Sequence, residues 1–218
     1  MIKPIYIVLD TETTGLDTNT AGIISFSYII TNLEQVFERG TIEMNPFESE
    51  ADVASAAEAL KVNGYTPEQV ASFQSASEGM KQVALVFERA TLLNNGYWPR
   101  IMGYNVATYD MPIILNNAQK HGVVLPRFRY DYVDVLQGVR MLDAMGLIPC
   151  VLKEDGKQMG NRLSEVVHRL NIPADQSKFH GSMYDTEMTL EVFKAIRTRI
   201  TKNEGDDYEE DIGCEWLQ

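Results

Sequence analysis

The chain has 218 residues, 44% hydrophobic and 23% charged, and a formal net charge of −12, the proportions of a globular protein with room for one domain and a substantial core. No apolar run approaches the roughly 18 residues of a membrane-spanning helix, and the opening MIKPIYIVLD reads as a first strand, not a signal peptide. Such acidity argues against coating a duplex, which takes many phosphate contacts, but not against an enzyme that grips a few nucleotides at a strand end.

Cys150 and Cys214 lack metal-ligand spacing, so a reduced, cytoplasmic setting with no membrane partner is expected. The charge is uneven. Residues 203–218 hold seven acids (Glu204, Asp206, Asp207, Glu209, Glu210, Asp211 and Glu215) and no Lys or Arg, and the remaining 24 acids and 19 bases leave residues 1–202 at −5. Residues 1–202 are expected to form the folded domain. Residues 203–218 read as a flexible acidic tail, able to dock a partner with a basic surface.

In chain order, Ile5–Leu9 reads as a buried strand. Gly22–Ile30 and Val36–Met44 flank Thr31-Asn32-Leu33-Glu34-Gln35 as an antiparallel hairpin. Ser49–Leu60 is alanine-rich and helical, with Asn63-Gly64 as its stop. Thr66 caps a short helix that has Pro67 in its first turn. Ser77–Leu93 repeats apolar residues at Met80, Val83, Ala84, Phe87 and Ala90, a helical period closed by Asn94-Asn95-Gly96. A strand over Arg100–Tyr104, a helix to about His121 and a strand over Tyr130–Val135 follow. Helices over Leu163–Leu170, with Asn161 as its cap, and over Asp185–Ile200 complete the chain. Strands first and helices later indicate an α/β fold with a mixed central sheet covered by helices. Met141, Met145 and Met159 read as core filler, His121 and His168 as surface or structural residues, and Asp131 and Asp134 as solvated loop acids, with a supporting role behind a polar site as the alternative.

The first strand ends in Asp10-Thr11-Glu12-Thr13-Thr14-Gly15. Strand side chains alternate, so Asp10 and Glu12 share one face while Thr11 and Thr13 share the other. Two acids at the mouth of a buried strand are costly unless something positive lies between them. The pattern also fits the nucleophile loop of haloacid-dehalogenase-type phosphotransferases, although Asp is wanted where Glu12 stands and Lys153-Glu154-Asp155 is a poor partner motif. A calcium loop is excluded because its twelfth position is Ala21 and no helix precedes it.

Two later segments add acids. GYNVATYDMPII places Asp110 at a helix start after a strand, and FHGSMYDTEMTLEVF places His180 five residues before Asp185. Asp185 shares a helical face with Met188, Val192 and Ile196, the buried side of the last helix. An acid on that face suits a cation shared with Asp10 and Glu12.

Taken together, Asp10-Thr11-Glu12-Thr13-Thr14-Gly15, Asn105 with Asp110, and His180 with Asp185 resemble the three ordered motifs of the DEDD 3′–5′ exonucleases, over roughly residues 4–200. The histidine at 180, with Gly181 where the other subclass has tyrosine, marks the DEDDh subclass. Departures are Tyr104-Asn105 for His-Asn, Tyr109 for Phe, and Asn63-Gly64 for His-Gly; none removes a carboxylate or the histidine.

The resemblance implies a ribonuclease H-like fold and phosphodiester hydrolysis at the 3′ end of single-stranded DNA or RNA, releasing nucleoside 5′-monophosphates. It implies two ions, Mg²⁺ or Mn²⁺, bridged by Asp10 and completed by Glu12, Asp185 and Asp110. His180 is implied as general base, since an imidazole titrates near neutral pH. Leu16 is implied as a wedge against the terminal base, with the backbone near Thr13 and Thr14 close to the 3′-hydroxyl and Asn105, Tyr109 and Tyr65 as further substrate contacts. Several relatives are dimers, so an oligomer is allowed. The alternative on the same fold is a non-catalytic or polymerase-associated nucleic-acid-binding module.

Overall fold

The computed structural model describes residues 4–202; the tail expected over 203–218 lies outside the described residues. Six strands run in the order β4-β3-β2-β1-β5-β6. They are β1 (Tyr6–Thr13), β2 (Ile23–Thr31), β3 (Val36–Asn45), β4 (Gln74–Ser75), β5 (Arg100–Gly103) and β6 (Arg129–Asp134). The first three form an antiparallel meander, and β5 and β6 run parallel to β1. The expected hairpin is present, and β1 extends through the acids instead of stopping at Leu9.

Helices cover both faces of the sheet. Ile7 and Leu9 pack with α4 (Ala76–Leu93) and α5 (Asp110–Lys120). Tyr6 and Val8 pack with α6 (Val135–Ala144), α7 (Leu163–Arg169) and α8 (Ser182–Lys202). A strand buried on both faces needs a near-continuous apolar run, and IYIVL supplies it. The parity of Tyr6 and Val8 carries on to Asp10 and Glu12, so the acids face the α8 layer. Met188, Val192 and Ile196 are buried there as the periodicity requires, each contributing about 1.5–3 kcal/mol by burial.

The structure departs from the sequence expectations at several points. The Ser49–Leu60 helix is two: α1 (Glu50–Ser55), capped by Ser49, and α2 (Ala57–Asn63), closed by Gly64 at φ 73°. The break falls at Ala56, which is buried in a small cluster with Ile24, Leu60 and Val70. Thr66 caps α3 (Pro67–Ala71) as expected. Helix α6 was not expected at all; it begins immediately after β6, with the Asp134 side chain accepting from Gln137 N. Asn161 does not cap α7. Its side chain instead joins Asp143 and the buried Arg169, which also holds Pro149 O at 2.9 Å and pins the 145–162 excursion. Met141 and Met145 are exposed, not core.

Candidate active site

Four carboxylates from three elements meet at the C-terminal end of β1. Asp10 and Glu12 stand opposite Ser27 and Ser25 in the β1–β2 ladder. Asp110 arrives from the other side of the sheet on the first turn of α5. Its approach depends on Gly103 at the end of β5, where a Cβ would lie 2.7 Å from Val106 Cβ and 2.9 Å from Leu9 O. Thr11, on the strand face away from Asp10, donates to Asp110 Oδ1 from its backbone N at 3.0 Å and its hydroxyl at 2.7 Å. Asp185 enters on the first turn of α8, and His180 N donates to its Oδ2 at 3.3 Å. His180 is exposed beside this turn, its backbone at φ 71°, in the left-handed region that few non-glycine residues occupy.

Burial raises all four carboxyls, and repulsion adds to it at the two strand acids. Burial, then repulsion from Asp110, Glu12 and Asp185, raises Asp10 well above the carboxylate range. Burial, then Asp185 and Asp110, pushes Glu12 up to about 8. Burial raises Asp110 to about 6 against the two Thr11 hydrogen bonds, and raises Asp185 to about 6 against the His180 amide and charge. Uncompensated carboxylates that share one site behave this way.

Divalent cations fit these residues. All the donors are oxygen, as Mg²⁺ and Mn²⁺ prefer, and Asp185 Oδ1 is buried with no hydrogen-bond partner. Among the described residues no three His, Cys, Asp or Glu side chains form a ready-made metal cage.

Thr13, Thr14, Leu16 and Tyr109 line one cleft of about 270 Å³ beside the acids, its far wall made by Glu58, Val62 and Asn63 of α2. Leu16 is 86% exposed over it. Tyr109 Oη lies 2.7 Å from Thr13 Oγ1, and both hydroxyls reach Gly15 O, at 3.0 and 2.9 Å. Two protons serve three contacts there, so the hydroxyls rearrange readily. Asn105 and Tyr65 do not line the cleft. Asn105 sits at φ 69°, its Oδ1 accepting from Thr108 Oγ1 at 2.7 Å. Tyr65 packs edge-on to Phe73, and its hydroxyl donates to Glu43 at 3.3 Å.

One support was not read from the sequence, and another was only the alternative reading. Asn63 Nδ2 donates to Thr13 O at 3.0 Å, tying the α2 wall to β1. Asp134 is no solvated loop acid: it ends β6 and accepts from Asn105 N and Ala107 N at 3.2 and 3.1 Å, bracing the turn that leads to Asp110. An acid immediately before an amphipathic run was the available signal, because that is an N-cap pattern. Asp131, also in β6, pairs with Arg129. His168 is exposed on α7 and His121 ends α5, both away from the acids.

The fold, a mixed six-stranded sheet with helices on both faces, is the ribonuclease H-like architecture of DEDD-type exonucleases. The chain belongs to the RNase_T exonuclease family, whose pattern it matches over residues 7–193. Its fold is similar to Escherichia coli exonuclease I in complex with a dT13 oligonucleotide (TM-score 0.72, 20% identity), covering 92% of this chain and 42% of that one. It is similar also to a product-bound exonuclease I (TM-score 0.71, 19% identity), with 92% and 45% covered, and to an exonuclease I complex with SSB-Ct (TM-score 0.71, 18% identity), with 92% and 42% covered. The chain thus spans less than half the length of these structures. No curated protein sequence matches it. Among the described residues no helix is long and apolar enough to cross a membrane.

Proposed function

We propose that the chain is a divalent-metal-dependent exonuclease of the histidine subclass that removes nucleoside 5′-monophosphates from the 3′ end of single-stranded DNA or RNA. The observation that carries this reading is the mutual influence of the Asp10, Glu12, Asp110 and Asp185 carboxyls, with His180 next to Asp185 and a cleft lined by Thr13, Leu16 and Tyr109, chain neighbours of Glu12 and Asp110.

Asp10, Glu12 and Asp185 would hold one Mg²⁺ or Mn²⁺, and Asp10 with Asp110 a second. Such ions, when bound, supply the positive charge that stabilises the attacking and leaving oxygens of a phosphodiester. The chain's own groups do the rest. Thr11 fixes one oxygen of Asp110, so that carboxylate keeps one orientation. His180, exposed beside Asp185, takes the proton of the attacking water. Leu16 stacks against the terminal base, and the backbone at Thr13 and Thr14 meets the 3′-hydroxyl. The single-stranded DNA in the exonuclease I complex supports a single-stranded substrate.

The test uses 5′-labelled single-stranded DNA and RNA oligonucleotides with Mg²⁺, Mn²⁺ or EDTA, alongside Asp10→Asn and Asp185→Asn. A ladder shortening from the 3′ end, lost in EDTA and in both variants, is the expected result. Cleavage that persists in EDTA or in Asp10→Asn would overturn the reading.

A further inference from the structure

Strand β2 is IISFSYIIT, buried along its whole length. Two serines in such a strand need a reason, because a buried hydroxyl is costly unless it is bonded. Ser25 and Ser27 are both 0% exposed and flank Glu12 and Asp10 on the same sheet face. One atom meets them both. Ser182 Oγ lies 2.7 Å from Ser27 Oγ and 3.0 Å from Ser25 Oγ, and Ser27 Oγ also lies 2.7 Å from Thr41 Oγ1.

Ser182 is the first residue of α8, two residues after His180 and three before Asp185. The same turn is tightened by Thr186 Oγ1 donating to Ser182 O at 2.7 Å and Asp185 N donating to Gly181 O at 3.0 Å. Aliphatic side chains at 25 and 27 would hold the helix off the strand, whereas serines let it approach to hydrogen-bonding distance. Asp185 itself has little to fix it: one hydrogen bond from His180 N at 3.3 Å, and none to Oδ1. Its place is therefore set by where α8 begins.

We propose that Ser182 is a positioning residue of the active site. Its hydroxyl clamps the first turn of α8 to Ser25 and Ser27, next to Asp10 and Glu12, and so sets Asp185 and His180 relative to the strand acids. The proposal rests on the exonuclease reading and concerns a residue that touches neither substrate nor ion.

The experiment compares wild type, Ser182→Ala, Ser27→Ala, the double variant and Asp185→Asn. It measures kcat and KM on a labelled single-stranded oligonucleotide, Mn²⁺ affinity by electron paramagnetic resonance, and thermal midpoint. Ser182→Ala is expected to lose about tenfold or more in kcat and in Mn²⁺ affinity, the scale seen when a supporting group of a metal site is removed, with KM within about twofold. The double variant is expected to lose less than the two singles added together, because the Ser182–Ser27 contact is removed in both. A lowered midpoint with wild-type kcat and Mn²⁺ affinity, measured where the variant is folded, overturns the proposal and leaves Ser182 a packing residue. If Ser182→Ala does not fold, Ser25→Ala and Ser27→Ala decide by the same readouts. A wild type that binds Mn²⁺ but cleaves nothing would sink the exonuclease reading alone, and the Mn²⁺ affinity of Ser182→Ala would still settle the positioning role.

Discussion

Thr11 Oγ1 donates to Asp110 Oδ1 at 2.7 Å across 99 residues of sequence. The bond joins the first motif to the second, because Thr11 stands between the two strand acids on the face that receives α5. Thr11→Val keeps the shape and the backbone donor but removes the hydroxyl. It is expected to cost about 1 kcal/mol of stability, as one hydrogen bond does, and to raise Asp110 further, since Thr11 is what holds it down. Chemical denaturation and kcat at neutral pH check this; an unchanged kcat would show that Asp110 is oriented by something else.

The pH dependence of the metal-free protein has a definite sign. Glu12, Asp110 and Asp185 are raised in the fold, to about 8, 6 and 6. The folded chain therefore keeps protons that the unfolded chain has already released, and stability falls as pH rises. The loss begins near the ordinary carboxylate range, at about pH 4, and runs through the folded values to about 8. Urea midpoints in EDTA should fall from pH 5 to pH 8.5, Glu12→Gln should flatten the upper part, and Mg²⁺ should restore the high-pH midpoint. A midpoint that rises over this range would contradict the electrostatic picture.

Leu16 is 86% exposed, so its side chain contributes almost nothing to the core. Leu16→Ala is expected to leave the thermal midpoint within error and to raise KM for a single-stranded oligonucleotide several-fold, a loss of about 1 kcal/mol of apolar contact with the base. Steady-state kinetics with a melting curve separate this from an inert loop residue, for which neither quantity moves.

Asp134 ties two backbone amides of the turn before Asp110 to the start of α6. Asp134→Ala should cost about 1–2 kcal/mol, the loss of a cap and of backbone hydrogen bonds, and should reduce kcat without moving the oligonucleotide KM. Asp131→Ala is the control: its partners are the exposed Arg129 and, at 3.8 Å, Arg100, and solvent-accessible pairs contribute about 0–1 kcal/mol.

The elements that were legible are those whose signal is local. β1, β2 and β3, the cap at Thr66 and the apolar face of α8 follow from alternation, turn residues and period. Helix α6 was hidden because Gly138 is a poor helix former and because its cap, Asp134, also ends a strand. The break at Ala56 has no local signal: an alanine-rich run has no reason to stop there until Ala56 is buried against Ile24, Leu60 and Val70. Met141 and Met145 looked like core filler because hydrophobicity does not say which side of a helix meets solvent.

In the sequence, Asp10, Glu12 and Asp185 stood out by strand and helix parity, while Asp110 and His180 entered through the resemblance of the ordered motifs, because residue type alone does not select five positions among 31 acids and three histidines. The charge states of the four acids, the oxygen of Asp110 taken by Thr11, the cleft that admits Leu16 and Tyr109 but not Asn105 or Tyr65, and the serine contact that seats α8 were decided by the tertiary structure. The reason is physical. Desolvation, repulsion and hydrogen-bond geometry depend on neighbours in space, and here the neighbours of Asp10 and Glu12 lie about a hundred residues and more along the chain, at Asp110 and Asp185.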